Sequence, residues 1–357
     1  VTQQGVGLLL VVGLGLWAGW MLPRLLAPAV VSPALAQPIS LELSLPVDCT
    51  PGKDCYVQNL VDTRPGSGVA DYRCGTLTYD GHTGTDFRLA NLQAMREGVA
   101  VLAAADGVVK ALRDGEPDIS VRQRGRESIR QREAGNAVIL RHREGWETLY
   151  GHLRAGSVKV TKGQHVQRGD VLGLIGLSGL TEFPHVHFAV RHEGKVVDPF
   201  TGREPAAMAC GEAVEGLWQA ALRPALSYRP TAILTTGFAL QRPEPARERD
   251  RPSLDGTVAV DDPPALIFWA DVMGPRKGGQ GRLQIIAPDG ELLVDRPLRL
   301  EKDQAQRFVY AGRSRPPDGW KPGPYLGRVS LTASAVAEGD EQASTSTLVS
   351  EQRIEIR

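Results

Sequence analysis

The chain has 357 residues, enough for two domains with a core in each. Its 41 Lys and Arg balance its 41 Asp and Glu, so no field of one sign argues for nucleic acid as a partner. With 40 Gly and 25 Pro and little helical periodicity, the composition points to an all-β chain of short strands and many turns.

Residues 6–22 carry no charge and are about long enough to cross a bilayer. Ala34-Leu35-Ala36 before Gln37 has the small-x-small form of a signal-peptidase site. Residues 1–36 therefore read as a signal peptide or a membrane anchor. Either the apolar run 6–22 is an anchor or long signal, or translation begins at Met21, with Arg24 as the positive region and 25–31 as a short apolar core. Both readings export the rest of the chain to the periplasm or cell envelope, with or without a membrane tether.

Four cysteines agree with export, since none has C-x-x-C spacing and structural disulfides suit an oxidising compartment. Proximity pairs Cys49 with Cys55, leaving Cys74 and Cys210, one of three connectivities that four cysteines allow. Residues 49–74 read as an irregular, disulfide-stapled lead-in. Strands are expected over 99–104, 107–112, 136–142, 147–152 and 185–191. Between two of them, 114–133 is charged and carries Arg122, Arg124, Arg126, Arg130 and Arg132. Its plain reading is a solvated surface insertion; a substrate-contacting loop is the alternative.

Residues 211–222 read as a short helix and 223–230 as a linker. Beyond them, strands are expected over 266–271, 281–286, 292–300, 307–310, 325–332 and 351–356. Ala287-Pro288-Asp289-Gly290 supplies a hairpin turn. This gives one domain over 37–212 and a C-terminal β-sandwich of immunoglobulin-like character over 213–357. The second carries no catalytic constellation.

All seven histidines lie between His82 and His192. In Gly81-His82-Thr83-Gly84-Thr85-Asp86-Phe87, small residues let the chain curl so that an imidazole and a carboxylate reach one point; both are suitable zinc ligands. In Pro184-His185-Val186-His187-Phe188, a strand would turn both histidines to one side, with Val186 and Phe188 packed behind. Two imidazoles side by side on an apolar strand each need a polar partner or a metal. His152, in Leu149-Tyr150-Gly151-His152-Leu153, gains weight from that company. A catalytic zinc takes three protein ligands and leaves a position open. His82, Asp86 and one His of the pair complete such a set, and two imidazoles remain for proton transfer and oxyanion stabilisation.

Over roughly 82–200 the sequence resembles the lysostaphin-type, or LytM-type, zinc metallopeptidases. Beside the three histidine contexts, the likeness runs through Ala105-Asp106-Gly107-Val108-Val109, Gly135-Asn136-Ala137-Val138, Val166-Gln167-Arg168-Gly169-Asp170 and Gly173-Leu174-Ile175-Gly176. The resemblance implies a lysostaphin-type β-sheet domain with Zn2+ on His82, Asp86 and His187. His152 and His185 would be its catalytic imidazoles, and peptidoglycan peptide stems its substrate. Val186 stands where members typically have Leu, and the insertion is longer than in the smallest members. His142, His165 and His192 match no functional position, and Asn136 reads as holding a turn. A catalytically silent activator of another wall hydrolase is the alternative function. A wall-binding sandwich using Trp320 and Tyr325 is a third.

Overall fold

A computed structural model describes residues 41–64, 66–205, 215–250, 259–334 and 345–357. The expected signal or anchor over 1–36 lies outside them. No helix among the described residues is long and apolar enough to cross a membrane.

The first half is built from ten strands: β1 (Cys55–Asn59), β2 (Thr85–Leu89), β3 (Ala100–Leu102), β4 (Gly107–Arg113), β5 (Asn136–Arg141), β6 (Trp146–Leu153), β7 (His165–Val166), β8 (Val171–Leu174), β9 (His185–His192) and β10 (Lys195–Val197). Helix α1 (Leu92–Glu97) follows β2, and the short α2 (Val121–Arg124) lies in the insertion. The main sheet runs β1-β2-β9-β6-β5-β4-β7, with β10 on β9, while β3 pairs β8 separately. Alternation along β9 drives this arrangement. Val186, Phe188 and Val190 are wholly buried in the core with Phe87, Leu89, Leu140 and Tyr150, so the histidines between them face the other side.

The second half has β11 (Ala232–Ala239), α3 (Pro245–Asp250), β12 (Ala259–Val260), β13 (Ala265–Met273), β14 (Gln280–Ile286), β15 (Leu292–Arg299), β16 (Gln306–Ser314), β17 (Gly323–Ser334) and β18 (Thr345–Ile356). Two sheets form, β11-β13-β16 and β12-β18-β17-β14-β15. They share one core, to which Phe238, Phe268 and Ala311 come from the first sheet and Leu283, Val329 and Ile354 from the second. The turn expected at 287–290 joins β14 to β15, with Gly290 at a φ of 86°. Ser40–Arg357 form one compact unit. Tyr56 packs with Leu234 and Met273, and the Tyr228 hydroxyl donates to Asp71 Oδ2 at 2.9 Å.

Several expectations change. Residues 211–214 of the expected short helix lie outside the described residues, and in the remainder only Ala220–Leu222 coils, as a single 3-10 turn. Trp218 is instead drawn into the first core, edge-on to Phe87 and Phe200. Trp320 and Tyr325 are not exposed. The Trp320 indole N–H donates to the Pro263 carbonyl and the Tyr325 hydroxyl to that of Lys321, so neither offers a face to glycan. Cys49 and Cys55 are bonded, and Cys74 is disulfide-bonded too; Cys210 lies outside the described residues.

The charged insertion is an organised element. Glu116 is buried and receives Arg124 at 2.9 Å and Arg132 at 2.8 Å. Asp118 accepts backbone N–H groups of Ala155 and Leu177. Ile129 is buried beneath it. Asn136, wholly buried, donates to the carbonyls of Glu116 and Leu153 and accepts from the Glu116 N–H, tying the insertion to the sheet.

Candidate metal centre

Strand register assembles the centre. β2 and β9 pair so that Asp86 stands opposite His187, and β6 brings Gly151 opposite His187 from the other side. His82, on the turn before β2, completes a triangle: His82 Nε2 to Asp86 Oδ1 is 3.1 Å, His187 Nδ1 to the same oxygen 2.9 Å, and His82 Nε2 to His187 Nδ1 3.1 Å. The close approach requires glycine at 84, where a Cβ would meet the Phe188 carbonyl at 2.7 Å and the His187 ring at 2.8 Å.

Each ring is oriented from behind. His82 Nδ1–H donates to the Leu60 carbonyl at 2.6 Å, leaving Nε2 bare toward the triangle. Asn59 donates to the outer Asp86 oxygen at 2.8 Å. His152 Nδ1–H donates to Ser178 O at 2.7 Å, and His185 Nδ1–H to Phe183 O at 2.9 Å with Thr181 Oγ1 close by. Both therefore present Nε2. His185 Nε2 lies 3.5 Å from Asp86 Oδ1, and the His152 and His185 rings are 4.5 Å apart. His152, next to last in β6, has a φ of 61°, a left-handed conformation that a non-glycine residue holds only when its surroundings fix it. Its N–H donates to Ala134 O, and its carbonyl accepts from Gly176, which supplies that fixing.

The donor set fits a cation. With Nδ1–H given to Leu60, the His82 Nε2 lone pair points at His187 Nδ1 and at a carboxylate oxygen. Three electron-rich atoms within 4.8 Å of one another are stabilised best by a positive ion between them. Two imidazoles and a carboxylate are a zinc-type set. Burial pushes the Asp86 carboxyl up, but the surrounding imidazoles of His82, His185 and His187 outweigh it and hold it well below the usual carboxylate range. Burial, then the neighbouring His185 and His187, pushes His152 well below the ordinary imidazole value. Burial likewise lowers His185. Among the described residues the other group of ligand-type side chains is Cys49, Asp54 and Cys55, whose two cysteines are spent on a disulfide.

The five residues singled out in the sequence thus cluster, His82, Asp86 and His187 as a triangle with His185 beside Asp86 and His152 beside His185. Asn59, the Leu60 and Ser178 carbonyls, and Thr181 escaped the sequence reading. So did Arg88, which stands opposite His185 in register with its guanidinium 4.6 Å over the Phe183 ring. The remaining histidines stay apart. His142 donates to Asp106 O, and His192 stacks on Trp146 at 4.3 Å between ring centroids.

An antiparallel β-sheet carrying two imidazoles and a carboxylate as a ligand set, with two further imidazoles beside it, defines a metallohydrolase type of centre. Residues 80–199 match the family model for peptidase family M23. The chain is similar to the DD-carboxypeptidase/endopeptidase Mpg of Neisseria meningitidis, 35% identical over 145 residues, covering 40% of this chain and 28% of that protein. It is similar also to the peptidoglycan DD-endopeptidase ShyA of Vibrio cholerae, 32% identical over 126 residues, covering 35% of this chain and 24% of that protein. The chain thus spans under a third of the length of these curated relatives. The catalytic domain of lysostaphin from Staphylococcus simulans is 22% identical, with 34% of this chain and 77% of that one covered at a TM-score of 0.25, too loose a likeness to carry an argument.

Proposed function

We propose that the chain is a zinc-dependent endopeptidase that hydrolyses peptide cross-links of bacterial peptidoglycan in the cell envelope. The observation that carries this is the convergence of His82, Asp86 and His187 as ligands with His152 and His185 as two further, neutral imidazoles aimed at the same space. The relatives named for peptidoglycan DD-endopeptidase activity support the substrate class. A silent activator has no use for two oriented imidazoles beside an intact ligand set, so that reading is not favoured.

Zinc, held by His82, Asp86 and His187, would supply Lewis acidity, polarising the scissile carbonyl and easing ionisation of water. The chain's own imidazoles do the rest. One of His152 and His185 takes the proton of the attacking water on its bare Nε2; the other donates a hydrogen bond to the developing oxyanion once it carries a second proton, on Nε2, as an imidazolium. Fixing each Nδ1–H on a carbonyl keeps both rings from turning away. No serine or cysteine nucleophile is needed. In this reading residues 37–212 are the peptidase domain, 213–357 a C-terminal β-domain, and 1–36 the segment that exports or tethers them.

Elemental analysis of protein starting at Gln37, beside digestion of purified peptidoglycan with and without chelator, tests the reading. One zinc per chain and chelator-sensitive release of muropeptides are expected, and product masses identify the bond. No zinc and no digestion would overturn it.

A further inference from the structure

Of the five arginines in the insertion, three are paired: Arg122 with Glu182 at 2.6 Å, and Arg124 and Arg132 with Glu116. Arg126 and Arg130 are exposed and form no ion pair among the described residues. With Glu127, Glu133, Ile129 and Leu180 they line a pocket of about 210 Å³. Its lining residues are linked through the backbone to those that hold the centre. Leu180 N–H donates to Glu133 O at 2.8 Å. The residue after Glu133 is Ala134, whose carbonyl accepts the His152 N–H at 2.8 Å. Thr181, next to Leu180, has its hydroxyl 3.1 Å from His185 Nδ1. The pocket therefore adjoins the backbone that holds both imidazoles.

Its chemistry is mixed in sign: two guanidiniums, two carboxylates and two apolar side chains. A purely basic pocket would select any anion. This one offers a fork for a carboxylate and acceptors for an ammonium within one small space. We propose that it binds a free zwitterionic amino-acid head, an α-carboxylate and an α-ammonium on one carbon, carried by the peptide substrate near the bond that is cut. The substrate assignment rests on the peptidase reading above; the pocket's selectivity is measurable without turnover.

The test is titration calorimetry on the full chain, stripped of metal. One probe is a synthetic tripeptide ending in a diamino acid whose distal α-ammonium and α-carboxylate are free. The other is the same tripeptide with that amine acetylated and that carboxylate amidated. The wild-type chain binds the free head about ten-fold tighter at low salt, and the advantage shrinks as salt rises. R126Q/R130Q binds both probes alike, at the affinity the wild type shows for the blocked one. Equal or undetectable binding of both probes by wild type, or an advantage that survives in R126Q/R130Q, would overturn the proposal. Metal content and peptidoglycan digestion are read separately, so failure of the peptidase reading is not confused with failure of the pocket.

Discussion

His82 Nε2 and His187 Nδ1 lie 3.1 Å apart across 105 residues of sequence, with one oxygen of Asp86 beside both. Two ring nitrogens cannot share that distance as bare lone pairs, so a proton or a cation must sit between them. The Leu60 carbonyl already holds the His82 proton on the far nitrogen, which favours the cation. His187→Ala or Asp86→Ala should each abolish zinc retention and activity together. Elemental analysis after dialysis checks this, and stoichiometric zinc in either variant would count against the ligand assignment.

His152 should behave differently. It stands outside the triangle, its ring centroid 6.0 Å from that of His187, and its Nδ1–H is fixed on Ser178. His152→Ala is expected to keep zinc and to lose turnover by a factor of about 10² or more, as when a general base or oxyanion donor is removed. Zinc content and kcat measured on one preparation separate the two effects; wild-type turnover would reject the role.

Asn59 holds the outer oxygen of Asp86 at 2.8 Å and so fixes which oxygen faces the triangle. Asn59→Ala should weaken zinc binding by about 10- to 100-fold, the usual effect of losing an outer partner of a ligand, with the fold intact. Competition against a chromophoric chelator measures it. An unchanged affinity would mean that the two flanking imidazoles orient Asp86 unaided.

Four of the five central residues were legible from local patterns: alternation sends His185 and His187 to one face, and the glycine-bearing curl joins His82 to Asp86; His152 drew its weight only from their company. What supports them was hidden for physical reasons. β1 carries Asn59 and its edge is completed by β2, thirty residues later in the chain, so its short run shows no self-sufficient strand pattern. Leu60 and Ser178 act through backbone carbonyls, which any residue type supplies. The insertion reads as solvated because its charges cancel only in space, where Arg124 and Arg132 close on a buried Glu116. Trp320 reads as exposed for a similar reason: the Pro263 carbonyl that receives its N–H lies 57 residues away.

Asp198, wholly buried where the first sheet ends, carries the clearest pH signature. One oxygen accepts the Phe200 N–H, while the other has no partner. Burial pushes its carboxyl up from 3.8 to about 7, and nearby Asp71 adds to the push. Below 3.8 the group is protonated in both folded and unfolded chains and has no effect. Between 3.8 and about 7 the unfolded chain releases the proton and the folded one keeps it, so stability falls as pH rises; above 7 the loss is complete. Asp198→Asn mimics the protonated form and escapes this loss. Relative to wild type, the variant should gain nothing at pH 3.5, gain steadily through pH 5 and 6, and level off near about 4 kcal/mol above pH 7. Denaturant unfolding of both chains across this range, without metal, checks it, because the histidine contributions cancel in the difference. A gain independent of pH would mean that Asp198 is ionised in the folded chain and that an unseen partner holds its free oxygen.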